Sequence, residues 1–260
     1  MKKLLTLIAI LLFGNTVIAQ DKLYLVFEFM KVDNEQEIAY WETESFWEKI
    51  HLQRTKNGDI LGWDLWSLQP GGEDQGFQYL TVTLYNNPVK MMSGTGNFEA
   101  ALKAAYPKMT DEELNKKMNN TVKSRDLAAR IYLEQIATTK DNFQMPLGTI
   151  AGINFMKVTD ANFEKYEKFE TEIFQPLAQK EVESGSRGNW GLMRYLLPVG
   201  SEVMATHITT DMYKDYDQLF NGGMKDSPAP SAAEIKKIEE GMITRELKYK
   251  YMATLVKKVR

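Results

Sequence analysis

Apolar and polar positions alternate along residues 23–32. Leu23, Leu25, Phe27 and Phe29 share one face of an extended chain, and Tyr24, Val26, Glu28 and Met30 share the other. A period of two predicts a strand. Residues 34–56 contain neither Gly nor Pro and predict a helix, closed by Asn57-Gly58. Apolar runs return at 60–68 and 77–85 around Pro70-Gly71-Gly72, which predicts a hairpin. A flexible passage with Gly94 and Gly96 precedes a short helix over 98–105. Thr110 and Glu113 then have the spacing of a capping box opening a helix to about Leu127, and residues 131–136 read as a fourth strand.

The same order returns in the second half. Residues 150–158 predict a strand, 162–183 a helix, and 190–197 with 203–210 a hairpin turning at Pro198-Val199-Gly200. A short helix over 213–220 follows, and residues 222–230 form the most loop-like stretch. Ser231 and Glu234 repeat the capping box, with a helix to Leu247 and a last strand over 249–256. Local sequence repeats too. Phe29-Met30-Lys31-Val32 returns as Phe155-Met156-Lys157-Val158, Trp41-Glu42-Thr43-Glu44 as Phe169-Glu170-Thr171-Glu172, and Arg125-Asp126-Leu127 as Arg245-Glu246-Leu247. The chain therefore divides into a leader over 1–19, a first unit over 20–140 and a second over 141–260, with the boundary in the Asp141, Asn142, Pro146, Gly148 cluster.

Each unit has the order β-α-β-β-α-α-β, which resembles the ferredoxin-like unit with an antiparallel sheet and helices on one face. A tandem copy can cover the other face. On element order and duplication the chain resembles a fused member of the dimeric α+β barrel superfamily, which includes chlorite dismutase-like haem proteins, antibiotic-biosynthesis monooxygenases and NIPSNAP-like proteins. The resemblance implies an α+β fold with two sheets facing each other as a pseudo-dimeric barrel. Function does not follow from it.

Lys2 and Lys3, an apolar run to Phe13 and Val17-Ile18-Ala19 before Gln20 read as a signal peptide, predicting a periplasmic or secreted protein. The run is short for a membrane span, and none is expected after cleavage. The chain has no Cys, which rules out disulfides, thiolate nucleophiles and Cys-based zinc sites. With 32 basic and 35 acidic residues and no basic block, nucleic acid is not an expected partner. A small-molecule ligand is, and a homodimer is compatible with the resemblance.

Candidate chemistry lies on the less apolar strand faces. With Leu23, Leu25, Phe27 and Phe29 placed against the helices, Glu28 and its counterpart Asn154 face the space between the sheets, together with Tyr79, Thr83 and His207. Such a lining suits a partly polar cavity; mutual hydrogen bonding with buried water is the plain alternative. Trp63 and Trp190 are aligned, and Arg194 stands opposite Ser67; an aromatic beside a guanidinium can hold an aromatic or carboxylate-bearing ligand, though a repeated Trp is more often core. His207 could serve as a general base or, through the resemblance, as a haem ligand. Glu48 and His51 have Glu-x-x-His spacing, which without a second copy reads as a solvated pair. Glu42 and Glu170 recur within apolar stripes and are expected to pair with Arg125 and Arg245.

Overall fold

The computed structural model describes residues 22–94, 96–222 and 231–260. The leader over 1–19 and most of the loop over 222–230 lie outside the described residues. The first unit runs β1 (Tyr24–Lys31), α1 (Glu37–Lys56), β2 (Gly62–Gln69), β3 (Tyr79–Tyr85), α2 (Pro88–Ser93), α3 (Phe98–Ala105), α4 (Asp111–Thr121) and β4 (Asp126–Thr138). The second runs β5 (Ile150–Lys157), α5 (Phe163–Phe169), a π-helical turn (Glu170–Phe174), α6 (Gln175–Glu183), β6 (Asn189–Leu197), β7 (His207–Tyr213), α7 (Tyr216–Asn221), α8 (Ala232–Met242) and β8 (Glu246–Val259). Among the described residues no helix is long and apolar enough to cross a membrane.

The strands close into one antiparallel barrel in the order β1-β3-β2-β8-β5-β7-β6-β4. Each unit's last strand does double duty. β4 pairs with β1 of its own unit and β6 of the other, and β8 pairs with β5 and β2. Both are much longer than their apolar runs predict, because their polar first halves, such as Asp126–Arg130, are held by ladder bonds rather than burial. The two predicted sheets thus join edge to edge, and closure leaves no free strand edge.

The barrel interior is apolar. Leu25, Phe27, Phe29, Leu80 and Val82 of the first unit meet Ile153, Phe155, Met193 and Ile208 of the second in one buried cluster. The face assignment made from the sequence is therefore reversed. The most apolar face of each strand points at the other unit, because a closed barrel excludes water more completely than a helix laid across a sheet. The opposite face of β1, with Val26, Glu28 and Met30, lies under α1.

Both capping boxes form: Thr110 Oγ1 accepts from Glu113 N (3.2 Å) and Ser231 Oγ from Glu234 N (3.3 Å), with each glutamate bonding back to its cap. Thr110→Ala and Ser231→Ala should each lower stability by about 1 kcal/mol in urea melts.

Candidate functional site

The first unit holds a cavity of about 880 Å³ between the helix-facing side of its sheet and α1, α2 and α4. One wall is strand, with Glu28, Thr81, Thr83 and Tyr132; the other is helix, with Glu44, Trp47, His51 and Arg54 of α1; Met30, Met91 and Met118 fill between them. Arg125, just before β4, and Arg130 on β4 complete it. Helical spacing explains the α1 set, since positions 44, 47, 51 and 54 share one face. That face mixes charge, imidazole and indole, so no clean apolar stripe marks it in the sequence.

Glu28 is held in the wall by Arg130, whose Nε donates to Oε1 at 2.8 Å, while Thr81 Oγ1 donates to Oε2 at 3.4 Å. The His51 ring stacks on Trp63 (5.0 Å, 20°) and on Trp47 (5.7 Å, 25°). Burial, then the Arg54 and Arg125 charges, push its pKa well down, so the ring is neutral near pH 7. Arg54 is donor only, so His51 Nδ1 accepts from it (3.3 Å) and the ring proton sits on Nε2. Glu44 is fully buried, with Oε1 held by Arg125. The Tyr40 hydroxyl faces the Glu44 carboxylate as its donor, and the buried Trp47 Nε1 has no hydrogen-bond partner. Burial outweighs the Arg125 charge and pushes Glu44 up to about 6.

The repeated glutamate is Glu44, not Glu42. Tyr40 and Tyr166, Glu44 and Glu170 stand 126 positions apart, the same offset as Phe29 and Phe155. Glu170 lies 3.9 Å from Arg245 as expected, whereas Arg125 takes Glu44 and Glu42 is left on the outer face. The motif alignment was displaced by two because Trp41 and Phe169 resemble each other in type without occupying the same place. Beyond the π-turn the offset becomes 127, as with Trp63 and Trp190, because that turn inserts one residue into the second helix.

All eight predicted site residues lie on helix-facing strand surfaces, not between the sheets, and they fall into two separate groups. Glu28, Trp63 and Thr83 belong to the first unit's cavity. Tyr79 is withdrawn from it: its hydroxyl donates to Glu37 Oε1 at 2.5 Å, and the ring packs on Tyr40 and Trp41. Asn154, Trp190, Arg194 and His207 belong to the second unit. Trp190 is core against Tyr166 and Ala178. Asn154 Nδ2 donates to Thr209 Oγ1 (3.1 Å) and Asp211 Oδ2 (3.0 Å).

Strand register fixes the counterparts across the two units. Met30 pairs with Tyr79 and Met156 with His207, so His207 is the counterpart of Tyr79, and Asp211 that of Thr83. His207 is fully buried, with Nε2 donating to Glu167 Oε1 (3.1 Å) and Nδ1 facing Thr206 Oγ1 (3.0 Å). Neither nitrogen is free for iron, so His207 does not fit a haem ligand. Glu37 and Trp41 in one unit correspond to Phe163 and Glu167 in the other, and each carboxylate ties its helix to the third strand. Arg194 Nη1 joins Glu167 (2.9 Å), and its Nε joins Glu134 (2.9 Å). At the level of the first unit's opening, Arg187 spans Asp211 and Glu181, the counterparts of Thr83 and Arg54. The cavity is thus a property of the first unit's own residues. His207→Phe should cost roughly 1–2 kcal/mol in a urea melt, because Glu167 keeps only Arg194, and should leave ligand binding in the first unit unchanged.

His51 is not the solvated partner of Glu48. Glu48 Oε2 accepts from Lys257 Nζ at 2.7 Å, while His51 is buried between indoles. Sequence reasoning also passed over Glu44, Trp47 and Arg130 as site residues. The constant offset of 126 marks Glu44; nothing local marks Arg130. Among the described residues no group of three or more His, Cys, Asp or Glu side chains is placed to hold a metal ion.

No protein-family model and no curated protein matches the chain. Solved structures do. A candidate monooxygenase from Fusobacterium nucleatum subsp. nucleatum is 12% identical at TM-score 0.57, covering 92% of this chain and 94% of that one. A candidate monooxygenase from Lactobacillus acidophilus is 11% identical at TM-score 0.56, covering 92% and 95%. A protein described as anthrone oxidase-like is 10% identical at TM-score 0.55, covering 92% and 93%. At such identity the likeness is one of fold. With the duplicated units and the closed barrel, it gives this chain the dimeric α+β barrel fold, both halves of the usual dimer being fused in one polypeptide.

Proposed function

We propose that this is an exported protein whose first unit binds one small, partly polar organic molecule in the cavity beneath α1. The observation that carries the reading is the cavity itself, about 880 Å³, walled by charged and hydroxyl groups such as Glu28, Arg130, Thr81 and Thr83 as well as by aromatic rings. A wall of this kind suits an occupant bearing a hydroxyl or amine. Trp47 Nε1 is a complementary orphan donor. Between these polar ends the stacked Trp47, His51 and Trp63 rings and three methionines favour a planar aromatic body. The test is native mass spectrometry of the protein from its own source. A bound mass present in the wild type and absent from a cavity-blocked variant supports the reading; a clean apo mass, with no saturable binding of the aromatic sulfonate 8-anilinonaphthalene-1-sulfonate, would overturn it.

A second reading is a cofactor-independent oxidative enzyme. The structures described as candidate monooxygenases and as anthrone oxidase-like favour it, as does the Glu44 carboxylate in the cavity wall, whose pKa burial raises to about 6. That carboxylate could take a proton from an aromatic hydroxyl, the step that makes such a ring easier to oxidise. Oxygen uptake with anthrone as probe separates the readings. Uptake lost in His51→Ala or Glu44→Gln supports the enzyme, and binding without uptake leaves the carrier role.

A further inference from the structure

The barrel interior is packed unequally along its axis. At one end Phe29, Phe77, Phe155 and Tyr251 form a connected aromatic plug, with ring centroids 4.8 Å (Phe29 to Phe77), 6.0 Å (Phe29 to Phe155), 5.8 Å (Phe155 to Tyr251) and 5.5 Å (Phe77 to Tyr251) apart. At the other end β1, β3, β5 and β6 carry Leu25, Val82, Ala151 and Gly191, and a cavity of about 210 Å³ remains among them. The reason is local. Ala151 and Gly191 leave space where the plugged end has Phe155, and a Cβ on Gly191 would stand 3.3 Å from Thr210 Oγ1. A glycine inside a strand marks such a place.

This void is distinct from the first unit's cavity. Val26 and Thr83 face the helix side, while Leu25, Phe27 and Val82 on the same two strands face the barrel, so one sheet separates the spaces. The segment between the units covers it. Phe143 and Met145 line the cavity, and Lys258 Nζ donates to the carbonyls of Gln144 (2.7 Å) and Met145 (2.9 Å), holding that segment across the barrel end. Phe143 lies so close to Gly188 that a Cβ there would approach its ring to 2.7 Å. The rim is polar and already satisfied: Arg260 bonds both oxygens of Asp64 (2.8 and 2.9 Å), and Asn189 Nδ2 donates to Asp141 Oδ2 (2.6 Å).

We infer that the barrel end is a second binding site, taking one small apolar molecule of about the size of a single aromatic ring. Engineered cavities of roughly 150 Å³ with apolar linings stay dry and bind benzene or xenon; this one is somewhat larger, with an apolar floor of Leu25, Phe27, Val82, Ala151 and Ile153 beneath its polar rim. Among the described residues lining its mouth, the Asp64 and Asp141 carboxylates already have partners.

Titrating the full-length mature protein with toluene, followed by NMR and by thermal shift, tests the assignment. The expected result is saturable binding of one toluene per chain with a rise in melting temperature, and a loss of at least tenfold in affinity in Ala151→Leu, which fills the void. Ile153→Phe blocks the same space if Ala151→Leu fails to fold. Thr83→Trp, which alters only the other cavity, should leave toluene binding intact. Absence of saturable binding in the wild type would overturn the inference. So would binding that survives both barrel variants and disappears in Thr83→Trp, which would place toluene in the first unit's cavity.

Discussion

Arg125→Met should lower the unfolding free energy by about 3–5 kcal/mol, because it leaves the fully buried Glu44 carboxylate without its counter-charge. The guanidinium also lies over the Trp47 ring at 5.9 Å, and that contact goes with it. The loss should grow with pH. Below the ordinary carboxylate range Glu44 is protonated in both states and needs no partner; above about 6 the folded protein must hold it charged. Urea melts of the wild type and variant at pH 5 and pH 8 measure this, and a loss that did not grow with pH would count against the pairing. Adding Glu44→Gln to Arg125→Met should recover part of the loss, since a neutral amide needs no counter-charge.

The wild type carries a related signature. Burial raises Glu44 to about 6 and Glu170 to about 7. An acid whose folded pKa lies above its unfolded value contributes stability that is complete below the unfolded pKa and lost as pH rises through the folded one. Glu134, chiefly through Lys22 and Arg194, and Glu167, chiefly through His207, are shifted down, and their contribution disappears as pH falls below the ordinary carboxylate range. The two raised glutamates lose their contribution as pH rises through about 6 and 7. The buried His51 and His207, whose pKa values are lowered, cost stability as pH falls below the ordinary imidazole range. Stability should therefore be greatest near neutral pH and decline towards pH 8.

Thr83→Trp should weaken binding of 8-anilinonaphthalene-1-sulfonate ten- to a hundredfold, about 1.4 to 2.7 kcal/mol. Thr83 is buried on β3 directly across from Trp63, so an indole there projects into the cavity where the Trp47, His51 and Trp63 stack would meet a ligand ring. Tyr79→Phe is the control. It lies on the same strand and face but is turned to Glu37, so it should reduce stability and leave dye affinity unchanged. Equal losses in both variants would mean that the dye reports loosened packing rather than cavity occupancy.

Much of the architecture was legible in the residues. Period-two alternation marks the strands, both capping boxes close as their spacing predicts, and the repeat of Phe-Met-Lys-Val announces two copies of one unit. α2 was hidden in a Gly-flanked passage, because six residues started by an Asn87 cap and Pro88 are too short to show a period. The mixed face of each strand was legible as distinct from the apolar one. Its direction was not, because alternation states that two faces differ and is silent on which neighbour each one meets.

What the sequence by itself determined is therefore the unit, its duplication and the division of each strand into an apolar and a mixed face, since these depend on spacing within a few residues. Tertiary structure alone decided that the apolar faces meet inside a closed barrel, that Glu44 rather than Glu42 reaches Arg125, and that His51 is buried while His207 is bound on both nitrogens. It also decided that a cavity opens in one unit where Arg187 bridges Asp211 and Glu181 in the other. The physical reason is that each of these outcomes joins residues far apart in the chain. Burial, ion pairing and cavity shape depend on what lies opposite a side chain, and that is known only once the two units have closed on each other.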